Sequence, residues 1–339
     1  MMNDTHEWYR GKQVLITGGL GFLGSTLAHA LVPLGANVTL TDPMLPLYGG
    51  NLFNIEGIWE QVEVHHSDIR DQGAMDRLVS GKDVIFHIAG QTSHVDSMID
   101  PLLDVDINCR GNIIFLEACR KKNPEVKIVY AGTRAQYGKI EEVPVKENSR
   151  MNPTDVYGAN KHVGEAYCFI YGKAFGIRVT SLRINNSYGP RHQMKHNKYG
   201  ILNWFIRLAM DGETIKIFGE GNQLRDYNYL DDVIRAFLLV GADDRSVGQV
   251  YNLGSGRQIP FRELVKAVIQ AADSGRYEFV PWPNDRKAIE TGDFVADFSK
   301  ITQEFGWMPE VELEEGLRKT VEYYRKYKEH YWTNKNSEK

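Results

Sequence analysis

Tyr157 and Lys161, separated by Gly158-Ala159-Asn160, form the pair in this chain best suited to proton chemistry. Four residues apart on a helix, their side chains share one face. An ammonium group near a phenol stabilises the phenolate, so such a tyrosine can act as a base closer to neutral pH. Taken alone, the pair also describes an ordinary amphipathic helix face. Upstream, the segment Ala131-Gly132-Thr133-Arg134-Ala135-Gln136-Tyr137-Gly138 comes after a short apolar run. A hydroxyl at such a strand end, here Thr133, can orient both a substrate hydroxyl and the tyrosine.

The second chemical feature is glycine-rich. Gly18-Gly19-Leu20-Gly21-Phe22-Leu23-Gly24 follows the apolar run Val14–Thr17 and opens a helical pattern, satisfying both GxxGxxG and, from Gly19, GxGxxG. Strand, glycine turn and helix in that order bring backbone close to a pyrophosphate at a helix N-terminus. Gly18, Gly21, Phe22 and Leu23 are therefore expected to contact a dinucleotide. Asp42 ends the next strand; a carboxylate there accepts hydrogen bonds from ribose hydroxyls and repels a 2′-phosphate, which favours NAD over NADP. Asp68-Ile69 follows the third strand, where the carboxylate either contacts adenine or caps the next helix.

These features need a scaffold that alternates strands and helices. Strands are expected at 14–17, 37–41, 62–66, 84–89, 127–130 and 177–182, with helices at 22–34, 105–122 and 157–175. The pattern predicts an α/β fold, a Rossmann-type, doubly wound, mostly parallel sheet. After Asn186 the loops lengthen and glycines become denser. Short strands at 215–218 and 278–280, with 250–253 returning to the main sheet, suggest two lobes that exchange chain rather than beads on a linker.

Composition limits the function classes. The chain has 339 residues, 42% hydrophobic and 25% charged, with a net charge of -4. No basic block points to nucleic acid or a membrane surface, and no apolar run is long enough to span a bilayer. Cys109, Cys119 and Cys168 lack CxxC spacing and read as reduced thiols. No metal is expected. The N-terminal segment lacks an apolar signal core, so a cytoplasmic location is expected.

Taken together, Thr17–Gly24, Thr133, Tyr157 and Lys161 resemble the extended short-chain dehydrogenase/reductase family, and within it the nucleotide-sugar epimerases and dehydratases, UDP-glucose 4-epimerase-like. Further matches are Leu182–Arg191, Ile217–Tyr227, Tyr229–Asp232, Tyr251–Gly256 and Phe305–Pro309, so the resemblance runs from about Lys12 to Tyr327. It implies tightly bound NAD, with Tyr157 as acid/base, Lys161 on the nicotinamide ribose lowering the tyrosine pKa, and Thr133 on a sugar hydroxyl. It also implies that Ala89, Gly90, Gln91 and Asn108 lie on the cofactor side. Asn186 and Arg225 match positions that contact a diphosphate, and Phe218 lies where the base is held. Arg225 could otherwise form a salt bridge with Asp226 or Asp231. Ser93 and His94 follow the fourth strand; Ser93 is a candidate sugar contact, and His94 reads more simply as a loop histidine. Residues 1–186, joined by about 230–260, would form the NAD-binding domain. Residues 187–229 and 261–330 would form a smaller C-terminal α/β lobe for the nucleotide sugar, and 331–339 a polar tail. A homodimer through the helices at 105–122 and 157–175 is expected by the same analogy.

The resemblance leaves the reaction to particular residues. The 4,6-dehydratases follow the threonine with Asp and Glu, and the decarboxylases carry Thr-Ser-Glu; here Arg134 and Ala135 come after Thr133. Ala135 cannot transfer a proton, which favours a 4-epimerase, with dehydratase, decarboxylase or keto-sugar reductase as alternatives and a non-catalytic scaffold as a remote one. Arg134 is unusual at its position and suits a substrate carboxylate or phosphate, or simply the surface. Near the C-terminus, Glu290 stands where relatives often place an arginine, so Arg286 is the candidate to reach the diphosphate instead. UDP is the default nucleotide, with CDP, GDP and dTDP open.

Overall fold

Short apolar segments with both faces covered by helices form parallel strands. Six such segments come first: β1 (Gln13–Thr17), β2 (Asn37–Thr41), β3 (Val62–His65), β4 (Val84–His87), β5 (Lys127–Thr133) and β6 (Arg178–Ile184). The computed structural model describes residues 2–46, 48–284, 287 and 290–333, the side chains of 2–4 excepted. Its main sheet has seven strands in the order Val250–Asn252, β6, β5, β4, β1, β2, β3, all parallel. Strand order reverses between β1 and β4, which opens a crevice at the carboxyl ends of those strands, the usual ligand position in such sheets.

Two apolar layers cover the sheet. Leu27 and Leu31 of helix Phe22–Leu31 and Val233 and Phe237 of helix Leu230–Ala242 fill one face. Phe115, Leu116 and Cys119 of helix Asn112–Lys122, with Cys168 of helix Val156–Phe175, fill the other. A separate core gathers helices Ile201–Met210, Phe261–Ala272 and Leu313–Tyr327 beside the parallel pair Thr214–Phe218 and Arg276–Val280.

Several expectations shift in detail. The expected helix at 22–34 ends at Leu31 and tightens into a 3-10 turn over Val32–Leu34, where Pro33 withholds its N–H. The expected strand at 84–89 stops at His87, because the N–H groups of Ile88 and Ala89 turn to the Thr17 hydroxyl at 3.1 Å each. The expected helix at 105–122 contains a π-turn over Asp106–Gly111. Tyr331 and Trp332, read as the start of a polar tail, are buried in the second core. The Tyr331 hydroxyl donates to Asn54 Oδ1 at 2.7 Å, and Trp332 Nε1 donates to Asp211 Oδ2 at 3.0 Å. Among the described residues, no helix is long and apolar enough to cross a membrane. The three cysteines are free thiols.

Two buried histidines make the fold acid-sensitive. His87 stacks on Phe115 beside the Thr17 hydroxyl, and burial, with Lys161 nearby, pushes its pKa down to about 3. Burial lowers His192 to about 4. Both stay neutral in the folded chain while the unfolded chain takes up protons below about pH 6.5, so stability falls as pH drops through that window. The expected loss by about pH 4.5 is roughly 2–3 kcal/mol per histidine. Urea unfolding at the two pH values measures it; a His87→Gln variant should decline less steeply, and identical slopes would refute the assignment.

Candidate active site

The crevice is a cavity of about 700 Å³ that runs from the glycine turn after β1 to the second core. At one end, Gly18 adopts φ +71 and donates its N–H to Thr41 O at 2.8 Å. A Cβ on Gly24 would stand 2.2 Å from the Gly18 carbonyl oxygen, so only glycine allows the helix to pack this close to the strand. No side chain caps helix Phe22–Leu31 at Gly21, which leaves its first N–H groups open to an anion. Gly18, Gly21, Phe22 and Leu23 line the cavity. Asp42 also lines it, its oxygens accepting from Leu20 N at 3.2 Å and Met44 N at 2.9 Å. Burial raises the Asp42 pKa. A glycine cradle, an uncapped helix end and a carboxylate one strand away fit a dinucleotide bearing a free ribose.

Asp68, Ile69, Ala89, Gly90 and Gln91 line the same end. Asp68 does not cap the next helix: Asp71 does, accepting from Ala74 N at 3.0 Å, while Asp68 pairs with Arg70. Asn108 is not among the lining residues. The π-turn directs its side chain at the loop, where Nδ2 donates to Gln91 O at 3.0 Å and Oδ1 accepts from Gln91 N at 3.2 Å. It therefore fixes the shape of the cofactor-side loop from behind.

Thr133, Tyr157 and Lys161 meet at the centre of the cavity. Thr133 ends β5 and caps the turn Arg134–Gln136, accepting from Ala135 N, while Gln136 Oε1 accepts from Thr133 N. Asp155 caps helix Val156–Phe175 by accepting from Gly158 N at 2.7 Å, which places Tyr157 in the first turn. The helix runs to Gly176, which closes it in the left-handed conformation. Burial is the largest influence on Tyr157 and pushes its pKa up to about 12; the hydrogen bond with Thr133 and the charge of Arg134 pull it down, whereas Asp155 and Asp104 raise it. Lys161 lies over the Tyr130 ring, 4.3 Å from its centroid, and burial lowers its pKa to about 8.

His94, expected as a loop histidine, belongs to the site. It lines the cavity, bonds Asp155 Oδ2 through Nδ1 at 2.5 Å, and sets its ring edge-on to Tyr157, with centroids 5.0 Å apart. Ser93 is fully buried and is not among the lining residues; its hydroxyl caps helix His94–Ile99 by accepting from Asp96 N at 3.0 Å and donates to the carbonyl of the lining residue Lys198 at 3.4 Å. A cap and an adjacent cavity residue look alike in sequence.

At the far end, Asn186, Phe218 and Arg225 line the cavity. Phe218 packs on Trp282, 5.4 Å between centroids, and the indole is a second apolar plane that no motif announced. Arg225 pairs with neither Asp226 nor Asp231. Its Nη2 meets Glu290 Oε1 at 2.5 Å, and Nη1 donates to Gly292 O at 2.8 Å. Arg134 lines the cavity between these residues and Tyr157. Arg286 lies outside the described residues. Among the described residues, no group of three or more His, Cys, Asp or Glu is placed to hold a metal ion.

Residues 14–254 match the model of the NAD dependent epimerase/dehydratase family. The chain is 33% identical to the UDP-glucose 4-epimerase of Mycolicibacterium smegmatis over 92% of its own length and 98% of the relative's. It is 31% identical to the dTDP-glucose 4,6-dehydratase of Streptomyces niveus, covering 92% and 93%. It superposes on the Thermus thermophilus UDP-glucose 4-epimerase in complex with NAD with a TM-score of 0.82 at 32% identity, covering 92% and 99%. Matched over this length, the chain is a member of the NAD-dependent epimerase/dehydratase family.

Proposed function

We propose that the chain is an NAD-dependent 4-epimerase of nucleotide sugars, with Thr133, Tyr157 and Lys161 as its reacting centre. The observation that carries the reading is the pair of residues after Thr133. Ala135 is a buried methyl group, and Arg134 is held by Asn186 and Thr291, so neither offers the acid or base that elimination of water needs. Relatives at similar identity include both an epimerase and a dehydratase, so this local chemistry has to discriminate.

NAD, when bound, supplies the oxidised ring that takes a hydride from the sugar carbon and later gives it back. Tyr157 takes the hydroxyl proton and returns it, Thr133 holds that oxygen in line, and Lys161 sits one helical turn further along as the local positive charge. Inversion then requires only that the sugar present its other face within the cavity, with no further proton carrier. Arg225, Asn186, Phe218 and Trp282 surround the distal end, where guanidinium suits a diphosphate and aromatic planes suit a base. Product analysis by mass spectrometry and NMR across UDP-, dTDP-, CDP- and GDP-sugars tests the reading. An isomer of unchanged mass, with no net NADH, supports it; loss of water or carbon dioxide sinks it.

The same reading includes a homodimer. Ile99 is 74% and Leu102 79% exposed, and Met98, Val105, Ile170 and Phe175 add further exposed apolar surface on neighbouring helices. Such surface supports a self-association face. Sedimentation at micromolar concentration should give twice the chain mass, and an Ile99→Glu/Leu102→Glu variant one chain mass; a monomeric wild type would refute it.

A further inference from the structure

We propose that Arg134 binds a carboxylate carried by the sugar, so that the preferred substrate is a nucleotide-linked acidic sugar; the inference rests on the nucleotide-sugar reading above and names its substrate class.

Two arginines of the central and distal cavity, Arg134 and Arg225, face the ligand space, and their partners differ in charge. Arg225 already has a carboxylate partner in Glu290 and a backbone partner in Gly292. Arg134 has only neutral ones. Its Nε donates to Asn186 Oδ1 at 3.0 Å, its Nη1 to Thr291 Oγ1 at 3.4 Å, and its guanidinium lies over the Phe294 ring, 5.3 Å from the centroid. No carboxylate forms an ion pair with Arg134 among the described residues.

A guanidinium has five N–H donors, and these contacts use two. A half-buried cation with no anion in contact is unfavourable; here a second arginine stands close by, and the Glu290 carboxylate acts on Arg134 only from beyond pairing distance. Burial and the charge of Arg225 together push the Arg134 pKa down to about 10. A site that keeps such a group next to its ligand space is completed by an anion that arrives with the ligand. A planar fork with free donors suits the two oxygens of a carboxylate.

Placement identifies which part of the ligand carries that anion. Arg134 is the residue after Thr133, so it is anchored at the strand end that presents the sugar-orienting hydroxyl. Its charge acts on the Tyr157 phenol as well as on Arg225. It thus flanks the space between the reacting centre and the distal end, which a pyranose ring must occupy if its hydroxyl reaches Tyr157. Asn186 and Thr291, which also line the cavity, hold the guanidinium through Nε and Nη1 and leave Nη2 without a hydrogen bond among the described residues. A carboxylate on the ring meets Arg134, and the diphosphate lies toward Arg225.

The test uses the NAD-loaded full chain and matched acid and neutral substrates: UDP-glucuronate against UDP-glucose, and the corresponding dTDP, CDP and GDP pairs. In the accepted nucleotide series, kcat/KM should favour the acid by about tenfold or more, the scale of a hydrogen-bonded charge pair. Arg134→Met should cut that acid-to-neutral ratio by about tenfold or more, and Arg134→Lys should restore part of it. Equal use of acid and neutral sugars in every series, or preference for the neutral one, would overturn the proposal, and so would an unaltered ratio in Arg134→Met with both substrates slowed. If no pair turns over, calorimetric binding to the NAD-loaded wild type decides by the same preference. The wild-type ratio stands even if a variant does not fold, and thermal melts identify that case. Product mass separates the two readings: loss of carbon dioxide from a preferred acid refutes the epimerase but leaves Arg134 its role, whereas mass-neutral inversion of a neutral sugar alone does the reverse.

Discussion

Replacing Tyr157 with phenylalanine is expected to lower turnover by roughly 10³-fold, within the range that a positioned proton-transfer group contributes. The substitution removes one oxygen and little else. The ring is buried and packs edge-on against His94, and the cap that starts its helix comes from Asp155, so the first turn survives. Binding of NAD should persist, because the glycine turn, Asp42 and the loop held by Asn108 lie on other elements. The pH dependence adds a sign. Burial holds the phenol at about 12, above its ordinary value, so the reactive phenolate becomes more abundant as pH rises. Up to about pH 8, where Lys161 still carries its charge, wild-type rates should climb with pH, and the residual rate of Tyr157→Phe should not share that climb. Steady-state kinetics over a pH series checks both, and a variant within tenfold of wild type would remove Tyr157 from the reaction.

Glu165→Ala is expected to cost about 3–5 kcal/mol of folding stability, the range for breaking a buried ion pair on one side. Glu165 sits one turn beyond Lys161 on the same helix. Its Oε1 meets Arg183 Nη2 at 2.6 Å, its Oε2 accepts from the Ser181 hydroxyl at 2.7 Å, and both charged side chains are almost wholly buried. The pair ties the helix that carries Tyr157 and Lys161 to β6. Removing the carboxylate strands the Arg183 charge, which then keeps only Tyr137 and the Glu147 carbonyl. Urea unfolding measures the loss. Adding Arg183→Met to Glu165→Ala should recover part of it, since two apolar groups leave no orphan charge. A loss below about 1 kcal/mol would mean that the helix is held by its apolar face alone.

How much the sequence disclosed depends on how local each signal is. Gly18–Gly24 sits between an apolar run and a helical pattern, so strand, turn and helix can be read within a dozen residues, and the structure places all of its expected contacts in the cavity. Helical spacing puts Tyr157 and Lys161 on one face, but their roles could be read only with the glycine turn and Thr133 beside them. Asp42 needed only a strand end.

The missed contacts depend on chain segments that no local pattern links. Glu290 reaches Arg225 from 65 residues downstream, so the alternative that paired Arg225 with Asp226 or Asp231 favoured neighbours over topology. His94 acquires its position only when helix Val156–Phe175 brings Asp155 to it across 61 residues. Ser93 and Asp68 were read by position after a strand, but a three-residue hydrogen-bond pattern decides which of several polar residues caps a helix: Ser93 caps one, and Asp71 rather than Asp68 caps the other. Tyr331 and Trp332 looked like the edge of a polar tail, because their burial depends on Asn54 and Asp211, which are remote in sequence.

The central claim is that oxidation and reduction occur at one carbon with no intervening loss of atoms. The most direct measurement tracks a nucleotide sugar that carries deuterium on C4, incubated with the NAD-loaded protein in ordinary water. The expected product is an epimer that retains the deuterium at C4, with unchanged mass and no accumulating NADH. Loss of the label to solvent, its appearance on another carbon, or a product lacking water or carbon dioxide would contradict it.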